Sequence, residues 1–256
     1  MGTTLFNLEG KKALVTGGNT GIGLGIARGL AEAGARVGIC GRDEVRNRAA
    51  LDELQKVQSG CKAFSFELSD LKGLPDSYAA VSNAMGGIDV LVNNAGMQCR
   101  GPAESIKTKD FEQILRVNVT APFVLSQCFA RERITAGTPG SIIMICSLMS
   151  EQARRTTSPY TATKGAVRQL VKALAVDWAE HDIRVNGLGP GYFKTEMTRP
   201  LWEDPEFDAW VVQRTPLRRW GDTCDFAGPA VFLASDASRF VTGQILYIDG
   251  GWLATF

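Results

Sequence analysis

Seven short apolar runs, "KALVTG", "ARVGIC", "KAFSFEL", "IDVLVNNAG", "SIIMICS", "IRVNGLGP" and "QILYIDGG", recur along the chain with longer helix-patterned stretches between them. Runs of this length that are nearly continuous in apolar residues suit strands buried on both faces. The intervening "GIGLGIARGLAEAGA" and "KGAVRQLVKALAVDWAEHDI" carry their apolar residues at helical spacing. Parallel neighbours need a crossover of a dozen or more residues, usually a helix, so the alternation predicts βαβ units. The expected architecture is α/β, a doubly wound parallel sheet of about seven strands with helices on both faces. At 256 residues and 45% hydrophobic content one core suffices, and a single domain spanning 1–256 is expected. One segment breaks the alternation. Tyr192 to Arg219 is long and holds three prolines and two tryptophans, which predicts a substrate lid over 192–219.

Charge and cysteine usage narrow the function classes. A net charge of +1 from 28 basic and 27 acidic residues, with the basic residues scattered, offers no footprint for nucleic acid or an anionic membrane surface. The six cysteines (Cys40, Cys61, Cys99, Cys128, Cys146, Cys224) lack metal-ligand spacing, so reduced core thiols and no metal are expected. No stretch reaches about 18 consecutive apolar residues, and "MGTTLFNLEGKK" lacks the basic and apolar regions of a leader, so a cytoplasmic protein is expected.

The first strand runs into "TGGNTGIG", Thr16 to Gly23, and then directly into a helix. Gly17, Gly21 and Gly23 permit a tight turn and close backbone approach at a helix N-terminus, where unpaired N–H groups and the dipole favour a pyrophosphate. That context makes the fold Rossmann-type and the ligand a dinucleotide. After the second strand, an acid would accept from the adenosine 2′-hydroxyl, but the chain reads "ICGRDEVR". Arg42 favours a 2′-phosphate through its planar fork, with Asp43 near enough to neutralise it.

Further along, "SPYTATKG" spaces Tyr160 and Lys164 four residues apart. Ser158 as N-cap and Pro159 in the first turn start a helix on which the two side chains share a face. The only histidine, His181, lies well downstream. A phenol titrates near pH 10 when free, and a neighbouring ammonium favours its ionised form, so the pair suits acid–base chemistry without histidine.

In order, TGxxxGIG (Thr16–Gly23), NNAG (Asn93–Gly96), Asn118, Ser147, YxxxK (Tyr160, Lys164) and PGxxxT (Pro190–Thr195) make the chain resemble the classical short-chain dehydrogenases/reductases over nearly its whole length. The resemblance implies a catalytic set of Asn118, Ser147, Tyr160 and Lys164. Tyr160 would be the acid/base, Ser147 a hydrogen-bond donor to the substrate oxygen, Lys164 a ligand of the nicotinamide ribose, and Asn118 the holder of a relay water. It also implies cofactor contacts from Gly17, Asn19, Thr20, Gly21, Ile22, Gly23, Arg42, Glu67, Leu68, Asn94, Ala95, Gly96, Tyr160, Lys164, Pro190, Gly191, Phe193 and Thr195. Glu67 stands where the family usually has an aspartate, and Asn19-Thr20 replaces the basic residue some NADP-dependent members carry in the turn. NADP(H) is therefore expected on Arg42, with NAD(H) as the alternative.

Within the family, "CSLMSE", "PYTATKGAV", "VNGLGPGYFKTEMT" and "RTPLRRWGD" are similar to dehydrogenases acting on gluconate and on 2-dehydro-3-deoxygluconate. A carboxylated polyol needs a cationic fork and hydrogen-bonding groups. Arg100, Ser147, Glu151, Arg154 or Arg155, Tyr160 and Tyr192 are the candidates, with Met197 and Trp202 opening the lid. The resemblance also implies a small-molecule substrate and a homotetramer packed partly through the last strand and "GGWLATF". Two rival expectations are a 3-oxoacyl carrier-protein reductase, which calls for a basic docking patch, and a dinucleotide-binding sensor without turnover, which gives no reason to keep the four catalytic residues.

Overall fold

The computed structural model describes residues 3–255, so Phe256 at the end of "GGWLATF" lies outside them. The strands are β1 (Lys12–Thr16), β2 (Arg36–Cys40), β3 (Lys62–Phe64), β4 (Val90–Asn93), β5 (Gly140–Ile145), β6 (Ile183–Pro190) and β7 (Ile245–Ile248). They form one parallel sheet in the order β3-β2-β1-β4-β5-β6-β7, and this is the doubly wound architecture that the alternation predicts. The helices are α1 (Gly21–Glu32), α2 (Glu44–Gln55), α3 (Leu74–Met85), α4 (Thr108–Leu115), α5 (Ala121–Ala136), α6 (Ser158–Trp178), α7 (Arg199–Trp202), α8 (Pro205–Arg214) and α9 (Ala227–Ala234).

Successive strand residues point to opposite faces, and the core divides accordingly. Val15, Val92 and Ile143 pack with Ile26 and Leu30 of α1 and Ala230 and Leu233 of α9. Their chain neighbours Leu14, Leu91 and Ile142 pack on the other face, with Val81 of α3, Phe129 of α5 and Val171 of α6. Both layers are buried, which is why the strands read as continuous apolar runs.

Two local expectations need correction. β3 covers only Lys62–Phe64 of "KAFSFEL", because its one partner, β2, ends at Cys40 opposite Phe64; Phe66 to Leu68 then turn to line the groove described below. Helix α6 begins at Ser158 with Thr157 as its N-cap, so Ser158 is the first helical residue and not the cap. Of the cysteines, Cys40, Cys61 and Cys146 are buried, Cys99 and Cys128 half-buried and Cys224 exposed; all are free thiols, so the core placement holds for three.

Residues 192–219 fold into a 3-10 turn at Glu196–Thr198, then α7 and α8. They sit on an apolar cluster of Leu148, Val211, Trp220 and Trp252, against which Tyr192, Trp202 and Phe207 pack. Among the described residues, no helix is long and apolar enough to cross a membrane.

Phe129 is fully buried and its ring occupies the space that a side chain on Gly140 would need, 2.7 Å from the Cβ position. Truncation there leaves a cavity against the sheet. Phe129→Ala is expected to lower the unfolding free energy by about 3–5 kcal/mol, read from urea denaturation.

Candidate active site

The strand order reverses between β1 and β4, the switch point where ligands bind in such sheets. There Thr16 Oγ1 accepts from the N–H groups of Asn94 (3.0 Å) and Ala95 (3.1 Å). In return the Asn94 side-chain amide donates to the carbonyls of Thr16 (2.9 Å) and Gly17 (3.1 Å). The glycine turn and the NNAG loop are thereby held as one unit. Gly17 has φ +62°, in the left-handed region. A Cβ on Gly23 would lie 2.2 Å from the Gly17 carbonyl oxygen, so the helix enters the turn too closely for any side chain. The N-cap of α1, Thr20, makes no side-chain cap bond, and the first-turn N–H groups are left facing the groove. These features fit a dinucleotide phosphate.

The groove has a volume of about 460 Å³. Of the residues expected to contact cofactor, Gly17, Asn19, Thr20, Gly21, Ile22, Gly23, Arg42, Glu67, Leu68, Asn94, Ala95, Gly96, Tyr160, Lys164, Pro190 and Thr195 all line it. Gly191 and Phe193 do not. Phe193 is buried and its ring packs 4.7 Å from that of Phe226, while Gly191 lies against Asp249, where a Cβ would come within 2.7 Å of its Cα. The strand end turns these two residues toward the interior.

At the ribose end Arg42 is largely exposed and pairs with Glu67 at 3.5 Å. Its neutralising partner is thus Glu67, and Asp43 is engaged elsewhere. Asp43 caps α2 by accepting from the Arg46 N–H (3.0 Å) and pairs with Arg46 Nε at 3.2 Å. Burial works against ionisation of Glu67, but the Ser69 N–H and hydroxyl and the Arg42 guanidinium outweigh it and hold the carboxyl below its ordinary value. Asn19 donates to Asn47 (2.7 Å), and so its amide is committed to α2.

At the other end the four expected catalytic residues converge from separate elements. Lys164 is buried, donates to the Ile145 carbonyl (2.6 Å), and holds its ammonium 5.5 Å from the centre of the Tyr160 ring. Ser147 follows β5 and caps the 3-10 turn Leu148–Ser150; its Oγ accepts from Met149 N–H (3.1 Å), while Ser150 Oγ donates to the Lys164 carbonyl (3.0 Å) and ties this turn to α6. Asn118 sits on a π-helical turn, Arg116–Thr120, between α4 and α5. Such turns break the backbone ladder and are frequent at functional sites. Its amide donates to Met97 O (3.0 Å) and Thr163 Oγ1 (3.2 Å), and its Oδ1 accepts from Met97 N–H (2.9 Å).

The residues expected to contact substrate divide. Gly101 N–H donates to Thr156 O (3.1 Å), which draws the Arg100 loop beside the Arg154 loop. Loss of solvent around Arg100, then repulsion from Arg154, hold its guanidinium below the ordinary arginine value, while Tyr192 and Tyr160 act in the opposite sense. Arg154 donates to Tyr192 Oη (3.4 Å) and lies 4.6 Å over the Phe207 ring. Arg155 is exposed. Glu151 Oε1 takes Arg168 Nε (2.8 Å) and the Tyr247 hydroxyl (2.6 Å), so it braces α6 against β7. Burial, then this carboxylate, push the Tyr247 phenol up.

Arg46, Phe66, Met97, Gln113, Val117, Ile145 and Glu196 also line the groove without having been anticipated. Arg46, four residues past Arg42, carried a signal in its spacing; the others reach the groove through the path of the backbone. Among the described residues, no group of three metal-ligating side chains gathers.

A family model described as enoyl-(acyl carrier protein) reductase matches residues 17–253. The chain belongs to the short-chain dehydrogenase/reductase family and is an oxidoreductase of that family. It is 48% identical over 251 residues to a gluconate 5-dehydrogenase of Gluconobacter oxydans, with 96% of each chain covered. A 2-dehydro-3-deoxy-D-gluconate 5-dehydrogenase of Pseudoalteromonas atlantica is 42% identical over 97% of this chain and 98% of its own. The solved gluconate 5-dehydrogenase of Burkholderia cenocepacia, in complex with NADP and tartrate, superposes with a TM-score of 0.94 at 43% identity, covering 98% of both chains.

Gly23→Ala forces the turn open against the Gly17 carbonyl, an overpacking worth about 1–3 kcal/mol. A fluorescence titration with reduced dinucleotide is expected to show roughly 5- to 150-fold weaker binding, since this strain falls on the phosphate cradle itself.

Proposed function

We propose that the protein is an NADP(H)-dependent dehydrogenase that interconverts the hydroxyl and ketone of a six-carbon sugar acid, gluconate and 5-dehydrogluconate being the first choice. The observation that carries the reading is the pair Arg100 and Arg154 beside Tyr160, neither having a carboxylate partner among the described residues. Two guanidiniums without counter-ions suit an anionic substrate, and the curated names and the tartrate-bound neighbour point the same way. The same site would accept 2-dehydro-3-deoxygluconate, the substrate named for other relatives.

Bound NADP(H) would supply or accept the hydride at its nicotinamide. In the oxidative direction Tyr160 takes the hydroxyl proton as the carbonyl forms; in reduction it returns one. Ser147 donates to the substrate oxygen, and Lys164 stands as a buried counter-charge for the tyrosine oxygen and as a ribose ligand. Asn118, with a lone pair of Oδ1 to spare, holds a water of the proton path. Residues 192–219 act as the lid, with Tyr192 anchored in its aromatic cluster and holding Arg154 in place. The family pattern supports a homotetramer: β7 is an edge strand whose Leu246 is exposed, and Phe240 close by is fully exposed. A cytoplasmic location belongs to the same reading.

Tyr160→Phe is expected to lower turnover about 10²- to 10⁴-fold while reduced-dinucleotide affinity, measured by fluorescence, stays near wild type. Retention of a tenth of the rate would reject the acid/base role. Arg100→Ala is expected to cut kcat/KM for gluconate roughly 10- to 150-fold, the worth of a charge-assisted hydrogen bond, and to leave uncharged ketones almost unaffected. Equal losses on charged and uncharged substrates would remove Arg100 from carboxylate recognition.

A further inference from the structure

We propose that Arg46 is a second guanidinium of the 2′-phosphate site and that Glu196, on the first turn of the lid, controls how much of its charge the phosphate receives; this rests on the NADP(H) reading above. In the sequence, NADP preference rests mainly on Arg42. The geometry of the groove makes that insufficient. At the ribose end two guanidiniums, Arg42 and Arg46, face three carboxylates, Asp43, Glu67 and Glu196. A phosphate bearing up to two negative charges would enter a surplus of negative charge unless a carboxylate withdraws.

Only one of the three is free to do so. Asp43 is fixed by capping α2, and Glu67 by the Ser69 N–H at 2.9 Å. Glu196 has no partner but Arg46 among the described residues, and it follows Thr195, which lines the groove. Arg46 presents both terminal nitrogens to it, Nη1 to Oε2 at 2.8 Å and Nη2 to Oε1 at 3.2 Å, while Nε stays on Asp43 at 3.2 Å. The bridge is about half exposed on each side, 48% and 58%, the setting in which ion pairs hold weakly. A phosphate offers the same fork more charge and bidentate geometry, so it outcompetes the carboxylate. Asp43 meanwhile keeps Nε in place and the fork aimed. Glu196 acts through Arg46, as a positioning residue.

The test is calorimetric titration of the full-length protein with 2′,5′-ADP and with 5′-AMP, which differ in the phosphate alone. Wild type is expected to bind 2′,5′-ADP more tightly. Arg46→Ala should weaken 2′,5′-ADP at least about tenfold and change 5′-AMP by less than about twofold, with Arg46→Lys recovering part of the loss. Glu196→Gln should tighten 2′,5′-ADP about two- to fivefold, leave 5′-AMP unchanged, and have no effect once Arg46 is alanine. If wild type does not distinguish the two ligands, the NADP(H) reading falls and this proposal with it. If wild type distinguishes them but Arg46→Ala weakens both equally or neither, or Glu196→Gln fails to tighten 2′,5′-ADP, the proposal alone is overturned.

Discussion

Everything at the switch point depends on the side chain of Asn94. By donating to the carbonyls of Thr16 and Gly17, it satisfies two backbone acceptors that leave the sheet where β1 ends, and it joins the halves of the fold on either side of the β1–β4 seam. A buried backbone carbonyl without a donor is costly, so the amide is needed for the turn to close at all. With the turn closed, α1 can start against it, and Gly23 becomes the only residue type that fits so near the Gly17 oxygen. The groove is therefore a consequence of one hydrogen-bonded corner. NNAG serves the dinucleotide turn from the opposite strand.

A second web does for the chemistry what Asn94 does for the cradle. Lys164 is buried, and a buried ammonium must be given acceptors. The carbonyl of Ile145, at the end of β5, supplies one, while the Lys164 carbonyl in turn accepts from Ser150 in the turn that follows Ser147. Ser147, Tyr160 and Lys164 are thus positioned by one short circuit of bonds between β5 and α6. Asn118 joins from the π turn through Thr163, one residue before Lys164. Small displacements of any member are resisted by the others, and that rigidity is what hydride and proton transfer at fixed distances require.

Much of this was legible in the sequence, for identifiable reasons. The seven strands declared themselves because both faces of the sheet are covered, and the glycine turn did so because strand, turn and helix follow without a gap. What could not be read was side-chain allegiance. Glu151 follows Ser147 by four residues and suggested a substrate contact, yet Arg168 and Tyr247, 17 and 96 positions away in sequence, claim its carboxylate. Arg42 was set against its neighbour Asp43, but Asp43 spends its carboxylate on a helix cap and Glu67 takes the arginine from across the groove. Phe193 lies within PGxxxT and still turns inward, because Phe226 offers it a buried ring. In each case a partner remote in sequence outbid the local reading.

Those allegiances explain how one groove handles two anions. At the proposed substrate end, Glu151 is committed to Arg168, and Arg100 and Arg154 have no carboxylate partner among the described residues. Loss of solvent and then repulsion from Arg154 lower the Arg100 value, and an incoming carboxylate would offset both. At the end holding Arg42 and Arg46 the opposite holds: carboxylates outnumber guanidiniums, and in the proposed exchange an anion enters as Glu196 withdraws. On the proposed reading the substrate end therefore holds positive charge for its ligand, whereas the nucleotide end carries one carboxylate more than its guanidiniums and would be opened by its ligand. The turn carrying Glu196 leads directly into α7 and α8, so the proposed exchange at Arg46 would act on the same segment that the proposed lid occupies.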